Sequence, residues 1–95
     1  SSVAYGSSKG GVHGLAMTLE PKLAPDNIRV IDVCPGNIET PLKLGAIQQQ
    51  AERTGESEES LRARQALGDP MGVGKVLAFL ASSDADYVRG TVFTR

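Results

Sequence analysis

The chain has 95 residues, of which 10 are Lys or Arg and 11 are Asp or Glu, so its formal net charge is −1 with the single histidine neutral. This balance excludes binding to nucleic acid or to an anionic membrane through bulk charge. Hydrophobic residues make up 40% of the chain and charged residues 22%, which indicates a globular protein with a buried core and not a disordered tail.

The sequence predicts neither a membrane segment nor an export signal. No stretch approaches the ~18 consecutive apolar residues of a membrane span, and the first residues are neither basic nor followed by a long apolar run. The lone Cys34 cannot form an internal disulfide, and one cysteine with one histidine provides too few ligands for a structural zinc site. We therefore expect a reducing, cytoplasmic location, no bound metal, and no nucleic-acid or membrane partner.

The first predicted element is a helix over residues 4–24. Apolar residues recur at the three- and four-residue steps of one helical face, at Val12, Leu15, Ala16, Leu19 and Leu23. Four glycines in this segment each cost about 1 kcal/mol relative to alanine, so they indicate that some neighbour approaches the helix closely. Pro21 removes one helical hydrogen bond, and a kink or an early end is expected there.

A strand and a loop are predicted next. Residues 28–34 are rich in β-branched side chains and follow a turn signal, and the segment is too short for a helix. They are therefore predicted to form a strand. Ile31 breaks the alternation of apolar and polar residues, which favours a parallel strand covered on both faces, although Arg29 and Asp32 indicate incomplete coverage. Residues 35–41 are predicted to be a loop, because two prolines and a glycine exclude regular structure.

Residues 42–66 are polar and are predicted to form two short helices. Thr40 would cap the first helix, with Pro41 at its first position, and Ser57 would cap the second, with acidic residues at its positive end. Their apolar stripes are thin, consisting of Leu44, Ile47 and Ala51 in the first helix and Leu61 with Ala66 or Leu67 in the second. We therefore expect this segment to be the most mobile part of the chain.

The last predicted elements are a helix and a second strand. Asp69 would cap a helix that starts at Pro70 and ends near Ser82, with apolar residues at i, i+3, i+4 and i+7. Residues 91–94 are predicted to form a strand, parallel to the first because a helical, right-handed crossover connects them. The fold class is therefore α/β, with two parallel strands and flanking helices. Because such sheets normally carry five or six strands, residues 1–95 are expected to form one partial domain.

Tyr5 and Lys9 are candidate catalytic residues, because their four-residue spacing places them on one face of the first helix. A tyrosine phenol titrates near ~10, and a neighbouring ammonium favours the phenolate, which makes such a pair suitable for general acid/base work. A coincidental spacing is the alternative. Thr40 also has two interpretations, as a plain N-cap or as a hydroxyl offered to a ligand at the carboxyl end of a strand.

Three further features have plainer interpretations. His13 shares the face of Tyr5 and Lys9 and could contact a substrate, but we expect a histidine on the helix surface or at an interface. Cys34 is expected to be a small core hydrophobe at the end of the first strand. The charged residues 56–64 are expected to form a solvated helix face.

In this order and spacing, five segments resemble the C-terminal half of the short-chain dehydrogenase/reductase family. The segments are Tyr5-Gly6-Ser7-Ser8-Lys9, Ile28-Arg29-Val30, Pro35-Gly36-Asn37-Ile38-Glu39-Thr40-Pro41, Phe79-Leu80-Ala81-Ser82 and Gly90-Thr91-Val92-Phe93. The resemblance covers nearly the whole chain except residues 42–66. It implies a doubly wound parallel sheet of the NAD(P)-binding Rossmann type, of which this chain carries the C-terminal part.

The resemblance implies an activity and a cofactor. Tyr5 would exchange a proton with a small carbonyl or alcohol substrate while a hydride moves to or from NAD or NADP. Lys9 would lower the pKa of the tyrosine and bind the nicotinamide ribose, so both residues would also contact the cofactor. The loop residues implied in cofactor binding are Pro35, Gly36, Ile38 and Thr40. Of these, Ile38 would hold the carboxamide through its backbone and Thr40 through its hydroxyl.

The resemblance also implies a substrate lid at residues 42–66 and a homo-oligomer built on the long helices or the terminal strand. The family's glycine-rich dinucleotide loop, catalytic serine and helix asparagine are expected before residue 1, and its Asp-Gly-Gly ending after residue 95. We therefore expect an oxidoreductase fragment that is inactive in isolation. The alternative is a non-catalytic α/β interaction module, or an inactive fragment, that packs through its first helix and in which the Tyr5 and Lys9 pair is incidental.

Overall fold

The structure, a computed structural model, describes residues 2–95. In chain order it contains α1 (Val3–Leu23), β1 (Ile31–Cys34), α2 (Pro41–Thr54), α3 (Glu58–Gln65), α4 (Pro70–Leu80) and β2 (Gly90–Phe93), with 3₁₀ turns at Ala24–Asp26 and Ser83–Ala85. β1 and β2 are parallel neighbours, in register from Ile31 with Gly90 to Cys34 with Phe93. The predicted α/β class and the parallel pairing are therefore confirmed. No helix within residues 2–95 has both the length and the hydrophobicity of a transmembrane segment.

The described residues divide into two compact units. The first comprises residues 2–34 and 86–93, and it contains α1 and the two strands. The second comprises residues 35–85 and 94–95, and it contains α2, α3 and α4. Tyr5 and Lys9 therefore belong to the first unit, and the loop at residues 35–41 belongs to the second.

Each helix of the described chain starts at a side-chain cap. The capping oxygens belong to Ser2, Thr40, Ser57 and Asp69, and they accept backbone N–H groups two or three residues further on at 2.9–3.2 Å. The last three caps, and the prolines that follow Thr40 and Asp69, occur where the sequence predicts them. A cap is a hydrogen bond between near neighbours, so the local sequence contains the information that places it.

The end of α1 lies within one residue of the predicted helix end, whereas β1 starts later than predicted. α1 continues through Pro21 to Leu23, so the helix ends two residues after the proline. Asn27, with a φ of 60°, closes the 3₁₀ turn that follows, and the N–H of Ile28 then bonds to the carbonyl of Leu23 at 3.2 Å. Within residues 2–95, residues 28–30 have no ladder partner, because β2 begins opposite Ile31. β1 is therefore four residues long instead of the predicted seven.

The apolar face of α1 is covered only in its C-terminal half. Ala16, Leu19 and Leu23 are half-buried, whereas Val12 and Leu15 are each 58% exposed. The reason is length, because a helix of 21 residues measures about 32 Å and a strand of four residues about 13 Å. The two described strands therefore cover less than half of α1.

The close approach predicted for the glycines of α1 is not found within residues 2–95. A Cβ atom added at Gly6, Gly10, Gly11 or Gly14 would meet no neighbouring atom within 4 Å. Since these glycines also lower the helix propensity, α1 depends on its cap and on its contacts with the sheet.

The second unit is built around a small apolar core. α2 packs against α3, and Ile47 and Leu61, from the two thin stripes that the sequence predicts, are the largest fully buried side chains at 2% and 0% exposure. Leu80 of α4 and Ala85 are also buried. Two buried side chains are enough to join two short helices. The high mobility expected for residues 42–66 stays a prediction.

Candidate active site

The helix α1 brings Tyr5 and Lys9 together. The amide of Tyr5, in the first turn, donates to the hydroxyl of the capping Ser2 at 3.1 Å. Lys9 follows one turn later, and its Nζ lies 5.7 Å from the centroid of the Tyr5 ring, which is within cation–π range. The shared helix face that the spacing predicts is therefore present. Tyr5 is 57% exposed, so its phenol is accessible to a substrate.

His13 lies one turn beyond Lys9 and contacts the sheet. Its Nδ1 is hydrogen-bonded to Oδ2 of Asp32, in the middle of β1. The side chain of Asp32 is only 10% exposed and is paired with the histidine. All four residues of β1 are half-buried and none is fully buried, which agrees with the predicted incomplete coverage of the strand. Local sequence patterns do not pair residues that are 19 positions apart, so the sequence alone does not reveal this contact.

A backbone bridge holds the loop at residues 35–41 in an extended path. Gly68 donates its N–H to the carbonyl of Asn37 at 2.7 Å and accepts the N–H of Glu39 at 2.9 Å. Because the backbone groups of an extended segment alternate between its two sides, the N–H and C=O of Ile38 point away from Gly68. Neither group has a hydrogen-bond partner within residues 2–95. Ile38 therefore offers one backbone donor and one backbone acceptor to a ligand.

Thr40 fulfils the capping role and keeps a free donor. Its Oγ1 accepts the N–H of Lys43 at 3.2 Å, at the start of α2. A hydroxyl has one proton to donate and two lone pairs, so the cap leaves the proton and one lone pair available. The two interpretations of Thr40 are therefore compatible in one geometry.

Gly36 is required by a close approach that the sequence does not reveal. A Cβ atom at this position would lie 2.9 Å from the carbonyl carbon of Arg95 and 3.3 Å from the carbonyl oxygen of Thr94. Both are backbone atoms, so the contact cannot be relieved by moving a side chain. Pro35 and Gly36 are both exposed, and Gly36 lies directly against the backbone of the chain that follows β2.

An ion pair links the loop to α3. Arg62 Nη2 contacts Glu39 Oε1, and Arg64 Nη2 lies 3.1 Å from Glu56 Oε2. The side chains of Arg62 and Glu39 are 50% and 45% exposed, so residues 56–64 form an exposed face as predicted, but their arginines are paired. The partner of Glu39 is 23 positions away, so local sequence patterns do not indicate it.

The loop fits a primary carboxamide such as that of nicotinamide. A carboxamide presents one carbonyl acceptor and one NH₂ donor. The N–H of Ile38 and the hydroxyl of Thr40 are donors of the kind that the carbonyl needs, and the C=O of Ile38 is an acceptor for the NH₂ group. The donor set on the described loop is therefore complementary to the cofactor that the sequence implies.

Comparison with known proteins finds relatives along nearly the whole chain. A family model described as enoyl-(acyl carrier protein) reductase matches residues 1–94. Oxidoreductase UcpA of Salmonella typhimurium is 36% identical over 92 residues, which cover 93% of this chain and 35% of UcpA. The 3-oxoacyl-[acyl-carrier-protein] reductase FabG of Thermotoga maritima is 40% identical over 88 residues, which cover 93% of this chain and 34% of FabG. The chain therefore spans about a third of the length of these curated relatives.

A solved structure supports the same relationship. The crystal structure of a short chain dehydrogenase family protein from Francisella tularensis matches this chain with a TM-score of 0.88 and 28% sequence identity. The match covers 97% of this chain and 41% of the Francisella chain. The predicted fold class, part of a doubly wound sheet of the Rossmann type, is therefore confirmed.

Proposed function

The chain belongs to the short-chain dehydrogenase/reductase family, and we propose that the protein containing it is an NAD(P)-dependent oxidoreductase that interconverts a carbonyl and an alcohol. Tyr5 is the general acid and base, and Lys9 assists it. The observation that carries this proposal is the position of Lys9 Nζ beside the Tyr5 ring on an accessible face of α1. A non-catalytic interaction module is less favoured, because the relatives are oxidoreductases.

The chemistry assigned to Tyr5 is proton transfer. When bound, the nicotinamide supplies the hydride to the carbonyl carbon in reduction, or accepts it in oxidation. In reduction, the Tyr5 hydroxyl donates its proton to the substrate oxygen as the C=O π pair moves to that oxygen, and Tyr5 is left as a phenolate. The ammonium of Lys9, one helical turn away, is placed to stabilise this negative charge. In alcohol oxidation, the phenolate of Tyr5 takes the proton from the substrate hydroxyl.

The cofactor would be held by the loop at residues 35–41. The backbone of Ile38 and the hydroxyl of Thr40 bind the carboxamide in this proposal, which determines the nicotinamide face presented to the substrate. Support comes from the preorganised loop, since the bridge to Gly68 and the packing of Gly36 on Arg95 fix the backbone before any ligand binds. Lys9 would bind the nicotinamide ribose.

Residues 42–66 would form the substrate lid, as part of one partial domain over residues 1–95. The ion pair between Glu39 and Arg62 supports this role, because it connects the cofactor loop to α3 inside the lid segment. The substrate is a small carbonyl or alcohol. The family model and FabG are both described by reactions on acyl carrier protein, so a 3-oxoacyl thioester is the first substrate class to test.

The test is Tyr5→Phe in the full-length protein that contains this chain. Turnover is followed by the oxidation of NADH or NADPH with acetoacetyl-coenzyme A and a panel of aliphatic ketones. We predict that kcat and kcat/KM fall together by about 10²–10⁴-fold, because the proton is needed in the transition state. Cofactor affinity, measured by nicotinamide fluorescence, should stay within about twofold, since other groups hold the cofactor.

The matched control is Tyr87→Phe. Tyr87 is fully exposed, outside α1, and should tolerate the same chemical change with unchanged turnover. Wild-type turnover in Tyr5→Phe would overturn the catalytic assignment and would favour the interaction module. A full-length protein that binds neither NADH nor NADPH would overturn the proposed function as a whole.

A further inference from the structure

We propose that His13 and Asp32 are positioning residues, whose contact sets the orientation of α1 and thereby places Tyr5 and Lys9 for the reaction proposed above. This inference rests on the proposed function. It concerns two residues outside the catalytic pair, both within the first unit.

The helix that carries the catalytic pair has little apolar anchoring. No residue of α1 is buried within the described structure, and Val12 and Leu15, the apolar residues nearest to Lys9 in the predicted stripe, are each 58% exposed. A cavity of about 260 Å³ lies beside the helix and is lined by Ala16 and Met17, among others. Within residues 2–95, apolar side chains therefore do not pack closely enough to set the rotation of α1 about its axis.

Two polar contacts tie α1 to the sheet instead. His13 reaches Asp32 in β1, and Glu20 forms two hydrogen bonds, at 3.2 and 3.1 Å, with Arg89 just before β2. His13 and Glu20 are seven residues apart, which is nearly two full turns, so they lie on the same side of the helix. Asp32, Glu20 and Arg89 also line the cavity, so the two contacts lie around it.

The His13 contact is the one that lies close to the catalytic pair. Tyr5, Lys9 and His13 follow one another at four-residue steps on neighbouring positions of one face. The partner carboxylate is 10% exposed and sits on a strand that pairs with β2, so the contact joins α1 to the sheet. Glu20 is two turns further on and anchors the C-terminal end of α1.

A small rotation of α1 is sufficient to disturb catalysis. Side-chain atoms lie about 5 Å from a helix axis, so a rotation of about 10° moves them by about 1 Å. A misplacement of about 1 Å can reduce the rate of an enzyme by about 10²-fold. The contact between His13 and Asp32 therefore acts on turnover through Tyr5 and Lys9, without touching the reacting atoms.

The experiment compares His13→Leu with His13→Asn in the full-length protein, assayed with NADPH or NADH and acetoacetyl-coenzyme A or the best ketone of the panel. Leucine removes the hydrogen bond. In asparagine, Nδ2 is two bonds from Cβ, as Nδ1 is in histidine, so a donor to Asp32 is retained. We expect His13→Leu to lower kcat by at least about tenfold with the cofactor KM within about twofold, and His13→Asn to restore most of the loss. Glu20→Gln is the control and should keep kcat within about twofold.

Melting temperatures of the variants separate positioning from stability. The positioning role would be overturned if His13→Leu lowered the melting temperature but left kcat unchanged. It would also be overturned if His13→Leu and Glu20→Gln lowered kcat equally. Should the leucine variant fail to fold, His13→Ser replaces it, because a serine hydroxyl is too short to reach Asp32. Tyr5→Phe distinguishes the two proposals: if it abolishes turnover while the histidine variants retain it, only the positioning role fails.

Discussion

Helix α1, which carries Tyr5 and Lys9, has no buried residue within the described chain, whereas the segment of α2 and α3 buries Ile47 and Leu61 almost completely. Within the described chain, α1 is held by a cap, by the half-buried apolar residues of its C-terminal half and by polar contacts with the sheet. The second unit is held by apolar burial, backbone bonds and the packing of glycines on Arg95. Apolar burial contributes free energy and polar contacts determine orientation, so substitutions in α1 should affect kinetics and those in the second unit should affect stability.

The largest stability effect is expected at Leu61. Leu61→Ala removes a side chain with 0% exposure from the contact between α2 and α3 and leaves a cavity, so the free energy of unfolding should fall by about 2–5 kcal/mol. Urea denaturation of the full-length protein measures this change. Leu42→Ala in the same segment is the control, because Leu42 is 86% exposed and should cost less than about 0.5 kcal/mol. Equal costs at the two positions would contradict the packing described for α2 and α3.

A smaller effect on stability is expected in the loop at residues 35–41, where Gly36 packs against the backbone of Arg95. Gly36→Ala brings a Cβ to 2.9 Å from a backbone carbon, so the loop must shift, at about 1–3 kcal/mol of stability and with weaker cofactor binding. The control is Gly45→Ala inside α2, where a Cβ meets nothing within 4 Å. Gly45→Ala should stabilise the protein by up to about 1 kcal/mol through helix propensity. If Gly36→Ala leaves the affinity for NADH or NADPH unchanged, the packing of Gly36 on Arg95 does not influence the cofactor site.

Thr40 tests whether one hydroxyl serves both structure and binding. Thr40→Val removes the cap of α2, at about 0.5–2 kcal/mol, and also removes the proposed carboxamide donor. We expect lower stability together with a higher Kd for NADH or NADPH. Thr40→Ser keeps the hydroxyl and should retain both properties. A valine variant that loses stability but binds the cofactor normally would leave Thr40 with the capping role alone.

The smallest effect is expected at the ion pair between Glu20 and Arg89, near the C-terminal end of α1. Arg89→Gln breaks the pair with Glu20, but Arg89 is 75% exposed, so the cost should be about 0.2–1 kcal/mol and should shrink as salt is added. Thermal melts at low and high ionic strength measure it. A loss comparable with that of Leu61→Ala would show that polar contacts stabilise α1 as strongly as burial stabilises the second unit, and the contrast between the two regions would not hold.

The sequence by itself determined those features that depend on near neighbours. The starts of α2, α3 and α4 follow from Thr40, Ser57 and Asp69, because a cap bonds an amide two or three residues away. The common face of Tyr5 and Lys9 follows from the helical repeat, since residues four apart are adjacent on any α-helix. The parallel pairing of the strands follows from the helical crossover between them.

The tertiary structure decided the features that depend on residues far apart in the chain. The strand β1 begins only at Ile31, because a strand exists where a partner strand faces it. His13 is paired with Asp32, Glu39 with Arg62, and Gly36 with the backbone of Arg95, at separations of 19, 23 and 59 positions. No local pattern records such contacts, because they form only when the packing of helices and strands brings distant segments together.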